Sequence, residues 1–222
     1  LQITSTFADT IIIADQQSTD NSVEICKKYP KVHIINNPGT EYDEAFRQNL
    51  LINEARKLHS RKKILLALDA DEIMTADSLN SKEWNQLKEA PIGTVLYFQK
   101  PDLYETAKRV LDFENHVPLG FIDDGSAHNA TTIHSARIPI PKNANTLHCE
   151  QIRFLHYAMI RMDAQQSKNR LYSAITNISE NHNNIIDHLR RRKRHSRYFD
   201  YTKGAKILNT PKEWFTGWEK RG

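Results

Sequence analysis

The chain has 222 residues, 39% of them hydrophobic and 26% charged, with a formal net charge of +4. This composition is sufficient to bury a sizeable core, and it excludes collagen-like, low-complexity and wholly disordered chains. No apolar window approaches the roughly 18 residues of a transmembrane helix. The positive charge is concentrated at residues 190–197, which predicts a near-neutral globular body with one basic patch.

Three short apolar runs predict buried strands in the first third of the chain. They lie at residues 10–14, 32–35 and 64–68, and they are continuously apolar, as strands buried on both faces are. Helical patterns separate them, one after cap-type residues at 18–20 and one over residues 44–59. This alternation predicts an α/β fold with a mostly parallel sheet flanked by helices.

The rest of the chain is less regular. A further strand is predicted at residues 94–99, followed by loops and short strands over residues 101–147 and by a helical pattern from residue 163. We predict a domain at residues 1–160 and a C-terminal helical extension at 161–222 that packs on or next to it. The domain is expected to be N-terminally incomplete, because the chain opens on a segment typical of a helix end rather than on a strand.

The two cysteines, Cys26 and Cys149, lie far apart, and neither belongs to a C-x-x-C pattern. They predict neither a disulfide framework nor a zinc site, and they favour a reducing compartment. We therefore expect a cytoplasmic protein. Its alternative location is the inner face of the membrane, because the basic run Arg190–Arg197 can attach to anionic lipids. Without interleaved aromatic residues this run predicts no nucleic-acid binding, and a solvated helix end is the simpler interpretation.

Acidic residues end two of the predicted strands. Asp15 ends the first apolar run, and Asp69 and Asp71 follow the third. Ligands of open α/β sheets bind beyond the carboxyl ends of the strands, and alternate residues of an extended chain point the same way. Two carboxylates at one point, completed by water and phosphate oxygens, suit Mg²⁺ or Mn²⁺. The alternative is that these acids only cap the next helix.

Together these segments resemble glycosyltransferase family 2, which is inverting and has the GT-A fold. IIIADQQSTDNSVEICKKY at residues 11–29 resembles the second strand and helix of that family, and ILLALDADEIM at residues 64–74 resembles its D-x-D strand. FRQNLLINEA at residues 46–55 is similar to the helix that precedes the D-x-D. The resemblance covers roughly residues 9–75, and it identifies the chain as a fragment that lacks the first strand of the family.

The resemblance implies a hexosyltransferase-like enzyme of polysaccharide biosynthesis. Such an enzyme moves a sugar from a nucleotide-sugar donor to a glycan or lipid-linked acceptor with inversion. By resemblance, Asp15 contacts the nucleoside, while Asp71, with Asp69 assisting, holds Mn²⁺ or Mg²⁺ on the diphosphate of the nucleotide sugar. The alternatives are a metal-dependent nucleotidyltransferase or hydrolase that uses the same carboxylates, or a non-catalytic nucleotide-sugar binding module.

An inverting transferase also needs a base that deprotonates the acceptor hydroxyl. The family usually places this carboxylate well downstream of the D-x-D. Asp124 and Asp123 form an adjacent acid pair near two glycines and are the predicted catalytic residues. A plain turn is the alternative interpretation, and Asp112 and Glu114 are the rival bases.

A late histidine often completes the metal or diphosphate shell in the GT-A transferases that the chain resembles. His156, at the end of the apolar stretch 152–155, best matches that position, and His134 is second. Downstream, residues 167–172 resemble a helix that follows this histidine in some bacterial relatives, which implies that Lys168 or Arg170 faces the diphosphate. Solvated helix charges are an equal alternative for both residues. The alternative for His156 is a packed, hydrogen-bonded ring in the core.

Overall fold

The computed structural model describes residues 1–39, 41–112, 114–132, 135–157, 159–160 and 205–218. The chain divides into two compact units. The first comprises Leu1–Lys100, His116–Phe154 and Pro211–Gly222, and the second comprises Pro101–Asn115 and Leu155–Thr210. Most of the predicted helical extension at 161–222, including its basic run, lies outside the described residues. The described part of that extension contains a strand, β10 (Lys206–Asn209).

The strand and helix alternation predicted for the start of the chain is confirmed. The elements in order are β1 (Ile11–Asp15), α1 (Ser22–Lys27), β2 (Val32–Asn36), α2 (Glu44–Lys57) and β3 (Ile64–Leu66). β1 and β2 pair in parallel, with Ile11 opposite Val32 and Asp15 opposite Asn36. A parallel pair needs a crossover connection, and α1 provides it, so both strands end at the same edge.

The other strands of the first unit form a mixed sheet. They are β4 (Glu72–Met74), β5 (Val95–Gln99), β8 (His116–Ile122) and β9 (Thr146–His156), whose last two residues belong to the second unit. β8 pairs antiparallel with both β3 and β5, whereas β5 and β9 run in parallel. The α/β class is thus confirmed, with antiparallel pairs beside the parallel ones. Among the described strands, β1 pairs only with β2 and β3 only with β8, so each keeps one open edge.

The main core lies between this sheet and α3 (Lys82–Glu89). Phe98 of β5 and Phe154 of β9 are fully buried there and meet edge to face at 5.2 Å. Gly120 of β8 permits the close packing, because a Cβ atom there would lie 2.9 Å from side-chain atoms of both Leu66 and Leu96. Contacts that short force neighbouring groups to move.

The second unit contains three further strands. β6 (Asp102–Leu103) and β10 pair antiparallel with β7 (Arg109–Asp112), and β6 meets the end of β9 in parallel, with Asp102 opposite His156. The buried side chains that β6 and β7 contribute to this unit are those of Leu103, Val110 and Leu111. No helix in the described ranges is long and apolar enough to cross a membrane.

α2 is held to the loop after β8 by polar contacts. This loop, residues 123–137 and here called the α2 loop, is described except at 133 and 134. The buried face of α2 includes Glu44 and Gln48. The Glu44 carboxylate accepts a hydrogen bond from the backbone N–H of Ser135 (3.0 Å), and the Gln48 side-chain oxygen lies 2.9 Å from His128 Nε2. These partners make burial of the two polar side chains tolerable.

Burial lowers the pKa of His128 below its ordinary value. The hydrogen bond with the backbone of Ala136 raises this pKa, but burial has the larger effect. As the pH falls from about 7.5 to about 5.5, the unfolded histidine takes up a proton before the folded one does. We therefore expect the free energy of unfolding to fall over that range. Urea denaturation at both pH values should show a smaller fall for His128→Gln than for the parent. The exposed His59 provides the control His59→Gln, and an equal fall in His128→Gln and the parent would contradict the prediction.

Candidate functional site

Asp69 and Asp71 lie in a tight turn between β3 and β4, and Glu72, the first residue of β4, closes it. The backbone N–H of Asp69 donates to the Glu72 carboxylate at 2.9 Å, and the N–H of Glu72 donates to the Asp69 carbonyl at 3.1 Å. The turn begins just beyond the carboxyl end of β3, where α/β sheets bind ligands. The sequence therefore predicted the position of the D-x-D carboxylates correctly relative to this strand.

Glu72 is the buried centre of this site. Its Oε2 accepts from Arg137 Nη1 at 2.7 Å, and its Oε1 lies 2.5 Å from Lys100 Nζ, a close ion pair without hydrogen-bond alignment. Burial raises the pKa of Glu72, but the hydrogen bond and charge of Arg137 and the charge of Lys100 outweigh it, so the pKa lies below its ordinary value. Glu72 is therefore an ionised carboxylate between two cations.

Arg137 joins this buried carboxylate to the exposed one. Its Nη2 donates to Asp69 Oδ2 at 2.6 Å while Nη1 donates to Glu72. Burial lowers the pKa of Arg137, but the hydrogen bond with Glu72 and the charges of Glu72, Asp69 and Asp71 raise it above its ordinary value. Asp71, which is half-buried, thus contributes to the negative field at the guanidinium.

The carboxylates of the turn fit a divalent cation that brings most of its own ligands. Within the described ranges, no three or more His, Cys, Asp or Glu side chains are grouped to hold a metal. Mg²⁺, however, commonly binds one or two carboxylates and completes its shell with water and phosphate oxygens. Asp69 gives Oδ2 to Arg137, and no hydrogen bond to its Oδ1 occurs in the described part of the chain. Asp69 and Asp71 thus offer the required donors, and their metal role stays a prediction.

Asp15 ends β1 as predicted, at the carboxyl edge of the β1–β2 pair. Its Oδ2 accepts from the backbone N–H of Ser18 at 3.3 Å. The next residue, Gln16, ties this edge to the loop after β2, because its amide donates to the carbonyls of Gly39 (2.6 Å) and Glu41 (3.0 Å). The sequence analysis missed Gln16, and contact of Asp15 with a nucleoside stays a prediction.

The structure does not bring Asp123 and Asp124 to the D-x-D carboxylates. Ile64 of β3 lies opposite Ile122 of β8, and the N–H of Asp123 donates to the Lys63 carbonyl at 2.9 Å. Asp123 therefore lies where β3 begins, whereas Asp69 follows its end. An extended chain from Lys63 to Asp69 covers up to about 20 Å. The catalytic role predicted for the pair stays a prediction.

Both acids also accept hydrogen bonds from neighbouring groups. Arg56 of α2 donates to the Asp123 carboxylate through Nη2 (2.8 Å) and Nε (3.1 Å), and the Asp123 side chain is only 8% exposed. Asp124 accepts from the N–H of Ser126 at 2.8 Å, and hydrogen bonding with Ser126, against the effect of burial, lowers its pKa. A base whose pKa is lowered takes up a proton less readily.

The other candidates that the structure describes lie in the second unit. Asp112 accepts from the N–H of Glu114 at 2.8 Å, and Glu114 forms an ion pair with Lys206. His156 Nδ1 lies 2.6 Å from Asp102 Oδ1, which orients the ring. Its metal role stays a prediction. The less favoured candidates His134, Lys168 and Arg170 lie outside the described residues.

Sequence reasoning also missed three residues at the Asp69–Glu72 turn. Glu72 directly follows the D-x-D, so its position was a usable signal. Lys100 follows β5, and Arg137 lies in the α2 loop. Neither of these two cations belongs to a local pattern that predicts its contact with Glu72, so only the folded chain reveals them.

The pairing of Asp123 with Arg56 predicts a difference between the two adjacent acids. Asp123→Asn leaves a half-buried guanidinium without its carboxylate, so we expect a loss of about 1–3 kcal/mol in the free energy of unfolding. Asp124→Asn should lose less than about 1 kcal/mol, because the Asp124 carboxylate accepts its hydrogen bond from a backbone N–H in a local turn. Urea denaturation of both variants measures the difference, and equal losses would contradict the structural role of Asp123.

One family model matches the first part of the chain. The model of the family described as Glycosyl transferase family 2 matches residues 5–82, about a third of the chain. The matched segment contains β1, β2, β3 and the Asp69–Glu72 turn. It confirms the resemblance drawn from residues 9–75. A comparison with curated proteins gives no match.

Proposed function

We propose that this chain, whose residues 5–82 form a glycosyl transferase family 2 segment, transfers a sugar from a nucleotide-sugar donor to a glycan or lipid-linked acceptor with inversion. The family match supports glycosyl transfer as the general activity. The proposal adds that the diphosphate of the donor binds at the Asp69–Glu72 turn with a divalent cation. The observation that carries it is the position of Asp69 and Asp71 beyond the carboxyl end of β3, inside the matched segment.

The charges of the turn explain why a cation belongs in this proposal. Three carboxylates, those of Asp69, Asp71 and Glu72, face two cations, Lys100 and Arg137. Glu72 and Asp69 alone already balance these two cations, so the described cluster has no surplus positive charge to attract a diphosphate. When bound, Mn²⁺ or Mg²⁺ reverses that balance and stabilises the departing nucleoside diphosphate as a Lewis acid.

The residues have separate proposed tasks. Asp71, with Asp69, holds the cation, and Asp15 binds the nucleoside at the edge of β1. Lys100 and Arg137 neutralise Glu72 and keep the turn in place. The lipid-linked class of acceptor, with contact between the basic run Arg190–Arg197 and a membrane surface, rests on the family resemblance and on charge.

Metal-dependent nucleotide binding tests the site. Isothermal titration calorimetry with UDP, GDP and CMP, in Mn²⁺ and in EDTA, should show binding of one nucleotide that depends on Mn²⁺. Asp71→Asn should weaken that binding roughly tenfold to a hundredfold, as loss of a ligand-shell group does. The control is Asp20→Asn, because Asp20 is an exposed acid in the same matched segment. Equal Mn²⁺-dependent binding by the Asp71→Asn and Asp20→Asn variants would refute the metal assignment.

Product analysis separates transfer from the other reactions of a metal-bound nucleotide sugar. A transferase forms a new glycoside only when an acceptor is present, and the anomeric configuration of that glycoside, measured by NMR, reports inversion. Free sugar and nucleoside diphosphate without acceptor would indicate a hydrolase. Pyrophosphate formed from a sugar phosphate and a nucleoside triphosphate would indicate a nucleotidyltransferase. Binding without any turnover would indicate a binding module.

A further inference from the structure

Arg137 is the residue through which the α2 loop reaches the D-x-D carboxylates. We propose that it is a positioning residue that fixes Asp69 for binding the divalent cation, an inference that rests on the proposed function. Its two terminal nitrogens divide their hydrogen bonds between two acids, 2.7 Å to Glu72 and 2.6 Å to Asp69. Hydrogen bonds to a ligating carboxylate orient it and commonly change metal affinity.

Asp69 needs such a partner because its side chain is 45% exposed. An exposed aspartate samples several rotamers, and ordering it costs conformational free energy on binding. Arg137 removes part of that cost in advance, because it holds Oδ2 of Asp69. Oδ1 accepts no hydrogen bond from the described residues, so this oxygen is the one offered to the cation.

The planar fork of arginine matters as much as its charge. One guanidinium spans the buried carboxylate of Glu72 and the exposed carboxylate of Asp69. A lysine ammonium is a compact point charge without this fixed fork. Lys100, which follows β5, already pairs with the other oxygen of Glu72 and neutralises part of its charge. The guanidinium of Arg137 does more, because it also connects Glu72 to Asp69.

The backbone on both sides of Arg137 is anchored. On one side, the N–H of Ser135 donates to Glu44 of α2 at 3.0 Å. On the other, Ile138 is fully buried in a cluster with Val95 and Phe121. The side chain therefore extends from a fixed backbone position, as a positioning residue requires.

A competing possibility makes the opposite prediction. If the guanidinium simply occupies the place of the cation, its removal should tighten metal binding. If Arg137 positions Asp69, its removal should weaken metal binding. The direction of the change in metal affinity therefore decides between the two.

The probe is Mn²⁺ alone, and free Mn²⁺ is measured by electron paramagnetic resonance in titrations of the parent chain and its variants. Arg137→Gln should bind Mn²⁺ roughly tenfold to a hundredfold more weakly than the parent, and Arg137→Lys should fall between them because it keeps the charge and loses the fork. The matched control is Arg56→Gln, since Arg56 also pairs with an aspartate and is similarly exposed, 25% against 24% for Arg137. The control should lose stability while its Mn²⁺ affinity stays within about twofold of the parent.

Thermal unfolding of each variant confirms that the proteins compared are folded, and Arg137→Lys keeps the test informative if Arg137→Gln does not fold. Unchanged or tighter Mn²⁺ binding by the folded Arg137 variants would overturn the inference, and so would a parent chain that binds no Mn²⁺. The proposed function fails separately. The chain could bind Mn²⁺ with an affinity that depends on Arg137 and still form no glycoside from any nucleotide sugar. That result would refute glycosyl transfer and leave the positioning role intact.

Discussion

The ionised, buried carboxylate of Glu72 is the constraint on which the site depends. A buried charge is stable only when it is paired and hydrogen-bonded, so the chain must bring cations to Glu72 from elsewhere in the first unit. Lys100 arrives from the end of β5 and Arg137 from the α2 loop. Because these segments meet at one carboxylate, the turn that holds Asp69 is fixed in relation to both of them. Removing either cation exposes the chain to the cost of an underpaired buried charge.

The α2 loop makes ion pairs at both ends of β3. At one end, Arg56 and Asp123 form an ion pair where β3 begins, which secures the loop to α2. At the other end, the same loop delivers Arg137 to the carboxylates beyond the end of β3. Asp123 at the first end is held in an ion pair with Arg56, and Asp69 at the second end is a candidate ligand, although both acids follow strands and look alike in sequence.

The charge balance of the turn links its proposed ligands to each other. Lys100 and Arg137 form ion pairs with Glu72 and Asp69. The described cluster therefore has no surplus positive charge that could bind a diphosphate. Under the proposed function, a cation and a diphosphate therefore assist each other's binding, because each supplies the charge or the oxygen ligands that the other needs. This mutual dependence is expected of a site that binds a nucleotide sugar only when its metal is present.

The sequence by itself determined the strands β1, β2 and β3, the position of Asp69 and Asp71 after β3, and the resemblance of residues 9–75 to glycosyltransferase family 2, whose family model matches residues 5–82. All of these depend on local apolar runs and short spacings, which neighbouring residues encode. Only the tertiary structure decided that Asp123 lies at the opposite end of β3 from Asp69, because that depends on β8 running antiparallel to β3. It alone also joined Arg137 and Lys100 to Glu72. Contacts between residues distant in the chain depend on strand direction and loop path, and no local pattern specifies either.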